Sequence, residues 1–189
     1  MRLFVAVDLD DGARAAIAAE QKRIAAAMGD ARTAVRWVKA DHLHLTLVFL
    51  GEVPEAQAEP VVRAVGRPLD APPFELTFQG IGVFPPRGSP RAVWIGVTDG
   101  AAELVALQRT LAERVASEGI ALESRPFQPH LTLGRWRQSR PSDRRRALAA
   151  AQSRIVARSH VSGATLYHSR ISSAGPTYTS LARANLSGR

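Results

Sequence analysis

The chain has no cysteine among its 189 residues and only two lysines, Lys22 and Lys39. Without cysteine, disulfides and thiolate metal sites are excluded. No apolar run reaches the length of a membrane span. The opening apolar stretch, Leu3 to Val7, ends at Asp8. It is too short for a signal peptide and lacks a small-residue cleavage site. A cytoplasmic protein with no membrane contact is therefore expected. A Gly-rich phosphate loop of the Walker type and a Ser-centred nucleophile elbow are also missing.

What is present is positive charge. The 25 Lys+Arg outnumber 17 Asp+Glu, for a formal net charge of +8 at pH 7. A codon preference for Arg accounts for Arg replacing Lys but not for the net excess. The excess favours an anionic partner, and the Arg fork suits bidentate phosphate contact. Hydrophobic content of 46% and charged content of 22% are ordinary for a folded protein. The length fits one domain, or two small lobes sharing a core.

Patterning predicts a strand over 2–8, then a helix capped by Asp10 or Asp11 that runs to about Met28 and stops at Gly29. Arg36-Trp37-Val38 leads into a second strand, about His42 to Leu50. A short helix fits 55–66. Strands follow at Phe74 to Phe78 and Ala92 to Val97. The clearest helix covers 101–118, with Leu104, Leu107, Leu111 and Val115 as its apolar stripe. Another strand fits 130–136, then a basic helix over 142–152. Ile155 to Tyr167 and Thr177 to Arg183 read as closing strands. The halves rhyme, each placing a long helix before a histidine-bearing strand. An α+β protein of two related, facing lobes is expected.

The rhyme is sharpest in a repeated tetrapeptide: His44-Leu45-Thr46-Leu47 and His130-Leu131-Thr132-Leu133. Residues two apart on a strand share a face, about 7 Å apart. His44 and Thr46 therefore face one way and their leucines the other; His130 and Thr132 do the same. Histidine exchanges protons near neutral pH. Two such faces would line a cleft with two imidazoles and two hydroxyls. The imidazoles suit proton transfer and the hydroxyls suit phosphate oxygens. A single His-x-Thr is ordinarily a plain polar strand face; the second copy changes that. His42, His160 and His168 lack a matched partner and read as surface or local hydrogen-bonding residues. His42 shares the expected strand face of His44. No Cys, Asp or Glu falls at ligand spacing beside either motif, so no metal and no cofactor are expected.

These residues resemble the 2H phosphoesterases, and within them the RNA 2′,3′-cyclic phosphodiesterases, also called 2′-5′ RNA ligases. The resemblance spans nearly the whole chain. It includes Arg2-Leu3-Phe4-Val5-Ala6-Val7-Asp8, Arg36-Trp37-Val38, His42 through Val53, Val93 through Val97, Phe127 through Arg135, and Gly175-Pro176-Thr177-Tyr178. Where such relatives often carry Glu-Ser, this chain has His168-Ser169. The resemblance implies a bilobal fold of two pseudo-symmetric lobes, antiparallel sheets with helices outside, and an active site in the central groove. It implies a single catalytic domain over 1–189.

It further implies metal-free hydrolysis of a terminal 2′,3′-cyclic phosphate to a 2′-phosphomonoester, with reverse 2′-5′ ligation. His44 would be the proton donor and His130 the proton acceptor. Thr46 and Thr132 would hold phosphate oxygens. The partner would be RNA or a nucleotide bearing the cyclic phosphate, and the protein a monomer. Arg135 is a further candidate for phosphate; regular alternation places it on the face opposite His130, so a bulge or the strand's end must intervene if it lines the site. Phe127 is a candidate for base stacking, with a core role the plainer reading. Trp37, Trp94 and Trp136 read as core or rim. The Arg140 to Arg146 cluster fits either an RNA backbone or an exposed helix face. The competing class is an RNA-binding module of the same fold without significant catalysis.

Overall fold

A computed structural model of the protein describes residues 1–29, 34–173 and 175–188. Its elements, in chain order, are β1 (Arg2–Asp8), α1 (Asp11–Ala27), β2 (Val35–Trp37), β3 (His44–Glu52), α2 (Glu55–Gly66), β4 (Phe74–Phe84), β5 (Ala92–Val97), α3 (Ala101–Ser117), β6 (His130–Trp136), α4 (Pro141–Ala149), β7 (Ile155–Val161), β8 (Gly163–Ser172) and β9 (Gly175–Asn185). The strands form two antiparallel sheets. One has the order β3-β1-β8-β9 and the other β2-β6-β5-β4-β7. Among the described residues, no helix is long and apolar enough to cross a membrane.

The expected helices form where caps and stripes place them. Asp10 caps α1 by accepting the Ala13 amide at 2.8 Å. Leu104, Leu107, Leu111 and Val115 are the buried face of α3. The basic helix is shorter than expected, closing at Ala149.

The helices cross over between the sheets. α1 follows β1 but packs against β7 of the other sheet, where α4 also lies on β4. α3 follows β5 yet packs against β3, while α2 lies on β8 and β9. Each sheet is thus covered by a helix that begins at the other. Neither half can bury its apolar sheet face alone, so the two lobes share one continuous core.

Three expectations are corrected. Residues 35–37 do not lead into the His44 strand; they form β2, an edge strand paired with β6 in the opposite sheet. His42 lies in a 3-10 turn, Ala40–His42, and so does not share a strand face with His44. Ile155 to Tyr167 is two strands, not one. β7 pairs with β4, then the chain passes Ser162 and β8 pairs with β1 in the other sheet. Gly163 permits that crossing, because a Cβ there would lie 2.4 Å from the Ala184 carbonyl oxygen.

Candidate active-site groove

β3 and β6 are matched strands, one in each sheet, and they pack against each other. Leu45, Leu47, Leu131 and Leu133 are buried in the core. His44, Thr46, His130 and Thr132 are half-buried on the other face. Strand alternation therefore places them as expected.

Each histidine is anchored in the same way. His44 Nδ1 lies 2.7 Å from the His42 carbonyl oxygen, and His130 Nδ1 lies 2.7 Å from that of Gln128. A carbonyl only accepts, so Nδ1 carries the proton and donates it. The neutral form of each ring then has its lone pair on Nε2, where a proton can be taken up. Burial holds both imidazoles below the ordinary histidine value. The backbone hydrogen bond opposes that effect in each, and the nearby Arg135 charge adds to it in each. One guanidinium thus acts on both rings.

The walls differ. The His44 ring stacks on Phe4 at 4.9 Å between centroids and meets Tyr178 edge-on at 5.4 Å. The His130 ring meets Phe84 edge-on at 4.9 Å and Trp94 at 6.0 Å. A pocket of about 400 Å³ opens beside His44, lined by Asp8, Arg14, Asp41, His42, Tyr167 and Tyr178, among others.

Arg135 needed a bulge or the strand's end to reach the face of His130, and a bulge is present. On the β5–β6 ladder, Trp94 pairs with Thr132 and Val93 with Gly134, so Leu133 has no opposite number. One extra residue reverses the alternation beyond it. Leu133, Gly134 and Trp136 are buried while Arg135 is exposed. Arg135 therefore rejoins the face of His130 and Thr132. Among the described residues, no carboxylate lies within ion-pair distance of it.

β3 carries the same bulge. Ala6 pairs with Thr46 and Val5 with Val48, leaving Leu47 as the extra residue. Phe49, five residues after His44, is thereby exposed in the position that Arg135 holds five after His130. Sequence reasoning missed Phe49. The signal was its place in the repeat, since Val48-Phe49 aligns with Gly134-Arg135.

Most other candidates fall outside this face. Phe127 is half-buried against the core, as its plainer reading had it. Trp136 is buried and Trp37 half-buried, whereas Trp94, half-buried and paired with Thr132, stays on the groove face beside His130. His160 hydrogen-bonds Glu75 at 2.8 Å. Within the Arg140 to Arg146 cluster, Arg144 donates to the Pro85 and Gly88 carbonyls at 2.7 Å each. No group of three or more His, Cys, Asp or Glu stands together as a metal-ligand set among the described residues.

Comparison with known proteins agrees with this geometry. The sequence pattern of the 2′-5′ RNA ligase superfamily matches residues 13–170. The chain belongs to that superfamily. A relative from Methanothermobacter thermautotrophicus, named RNA 2′,3′-cyclic phosphodiesterase, is 36% identical over 185 residues, covering 96% of each chain. Among solved structures of similar fold, TT0787 of Thermus thermophilus superposes with a TM-score of 0.81 at 29% identity, covering 100% of each chain. E. coli LigT complexed with 3′-AMP superposes at 0.76 and 31% identity, covering 98% of this chain and 97% of that one. The two-lobed α+β arrangement of this superfamily member is thus that of a LigT-like 2H phosphoesterase.

Proposed function

We propose that this protein hydrolyses a terminal 2′,3′-cyclic phosphate of RNA to a 2′-phosphomonoester, without metal, with His130 as base and His44 as acid. The chain is a cyclic phosphodiesterase, a hydrolase of phosphoric ester bonds, as its superfamily and its named relatives indicate. The observation that carries the finer reading is the pair of imidazoles. They stand on matched strands, each with Nδ1 anchored on a carbonyl, and they share one cationic neighbour.

The chemistry follows from that arrangement. A water attacks phosphorus as neutral His130 takes its proton at Nε2. The bond from phosphorus to O3′ breaks, and protonated His44 delivers its proton to O3′. Phosphate stays on O2′. Attack and departure lie roughly in line, so the base and the acid belong on opposite walls of a groove. Each proton transfer contributes typically ~10²–10⁴-fold. Thr46 and Thr132 donate hydroxyl hydrogen bonds to the non-bridging oxygens, and Arg135 adds a guanidinium that no carboxylate among the described residues pairs with. Such donors act where charge develops. The anionic phosphate also raises both histidine pKa values when it binds, opposing the burial that lowers them. Ligation is the same displacement with a 5′-hydroxyl in place of water: its oxygen attacks phosphorus, the bond to O3′ breaks, O3′ takes the proton from His44, and a 2′-5′ linkage forms; abundant water favours hydrolysis.

A product assay on an oligonucleotide ending in a 2′,3′-cyclic phosphate tests this directly. The expected product is the 2′-phosphate, formed equally well after chelation. A 3′-phosphate product, or activity removed by chelation and restored by zinc, contradicts it.

A further inference from the structure

The two histidines are alike in motif, anchor and bulge, so something outside the motif must make one the acid. The ladders supply it. Directly opposite His44 on β1 stands Asp8, whereas directly opposite His130 on β5 stands Gly96. These are equivalent positions, because the ladders match pair for pair: Ala6 with Thr46 against Trp94 with Thr132, then Val5 with Val48 against Val93 with Gly134. Opposed residues on an antiparallel pair have Cβ atoms about 5 Å apart. Resting on the acid and base roles proposed above, we infer that Asp8 is the positioning residue that selects His44 as the acid, by placing a fixed negative charge in one lobe only.

Asp8 is held, not loose. Its Oδ1 accepts the Tyr167 hydroxyl at 2.6 Å. Its Oδ2 accepts the Thr165 hydroxyl at 2.7 Å and Arg183 Nη1 at 3.3 Å. Asp8 and His44 line the same pocket, yet the His44 Nδ1 proton goes to the His42 carbonyl. Asp8 therefore acts on the imidazole through its field rather than as a hydrogen-bond partner. The opposite lobe has little room for a copy. A Cβ on Gly96 would approach the Gln79 carbonyl oxygen to 3.0 Å.

The charges around each ring agree with this asymmetry. Asp8 favours the imidazolium at His44, while His42 and Arg135 oppose it. At His130, Arg135 opposes the imidazolium and no carboxylate among the described residues offsets it. His44 is also the more deeply buried ring, so it has the greater need of a counter-charge to keep a proton. The remaining polar groups nearby are Arg14 from α1, Asp41 from the 3-10 turn, Tyr167 from β8 and Tyr178 from β9. Tyr167, buried and bonded to Asp8, is pushed up to about 12. Burial raises Tyr178 as well. Both phenols stay neutral through the working range, so neither replaces Asp8 as a negative charge. Arg183 works against Asp8 by partly neutralising it.

The test is site-resolved titration of the His44 and His130 Cε1–H signals by NMR, with the pH–rate profile measured alongside. In Asp8→Asn, the His44 titration is expected to move to lower pH while His130 stays in place. The alkaline limb of kcat then moves to lower pH, because the acid loses its proton sooner. Arg183→Gln unmasks the carboxylate and is expected to move His44 the opposite way, which keeps the test open if Asp8→Asn folds poorly. Asp8→Glu recovers part of the wild-type profile. The loss in Asp8→Asn should be smaller than the ~10²–10⁴-fold of a whole proton transfer. A pH-independent drop with His44 unmoved, or equal movement of both histidines, overturns the inference. If instead His44→Ala retains full activity, the acid–base reading itself fails, whatever Asp8 does.

Discussion

β3 and β6 are two copies of one device set in unlike surroundings. Both present His and Thr on one face and bury two leucines on the other. Both carry a one-residue bulge at the motif's last leucine, which turns the fifth residue after the histidine back to the histidine's face. There the likeness ends. The returned residue is an aromatic, Phe49, on one strand and a cation, Arg135, on the other. The residue across the ladder from the histidine is Asp8 on one side and Gly96 on the other. On the proposed mechanism, what the copies share would cradle a phosphate. What they do not share would give that cradle a direction, with a proton source on one wall and a proton acceptor on the other.

The largest effects are expected where the copies are alike. His44→Ala and His130→Ala should each lower kcat/KM by ~10²–10⁴-fold. The double variant should lose less than the product of the two, because residues acting as a unit are not additive. Full multiplicativity in steady-state rates would mean that the two strands act independently.

A smaller and unequal effect is expected at the returned residues. Arg135→Gln removes a charge placed for phosphate and should lower kcat/KM by roughly 10²-fold, the lower end for one preorganised donor. Phe49→Ala removes area but no charge. It should change kcat/KM several-fold less, and mainly through KM. Equal losses at the two sites would erase the distinction between the walls.

The smallest effect is on stability. Both imidazoles titrate below the ordinary histidine value of 6.5 in the folded protein, chiefly because they are buried. Between those lowered values and 6.5 the unfolded chain binds more protons than the folded one. Stability therefore rises with pH through that window and levels off above it. Melting temperatures measured from pH 5 to pH 7 should show the rise. Replacing either histidine by alanine should flatten it.

Much of the groove was legible because it rests on local rules. Period-two alternation placed His44, Thr46, His130 and Thr132 on a common kind of face, and the α3 stripe showed its helix. Long-range pairing was not legible. The extra residues Leu47 and Leu133 look like any strand leucine until the partner strand is known. For that reason the bulge that Arg135 needs to reach the groove was only a stated condition, and Phe49 was overlooked. The apolar run from Ile155 to Tyr167 hides its change of sheet at Ser162, although Gly163 was a signal for it. His42 left the strand because the chain turns at Ala40–His42 before β3 begins. The identical motifs do not by themselves assign acid and base; that assignment came with the family resemblance, and the asymmetry proposed for it rests on Asp8, 36 residues before His44.

The most direct test of that division of labour uses a cyclic phosphate whose bridging O3′ is replaced by sulfur. A departing thiolate needs no proton, so an enzyme lacking only its acid should recover on this substrate. The account predicts that His44→Ala approaches the wild-type rate with the sulfur substrate while His130→Ala remains impaired. Recovery of His130→Ala instead, or equal impairment of both variants, would contradict it.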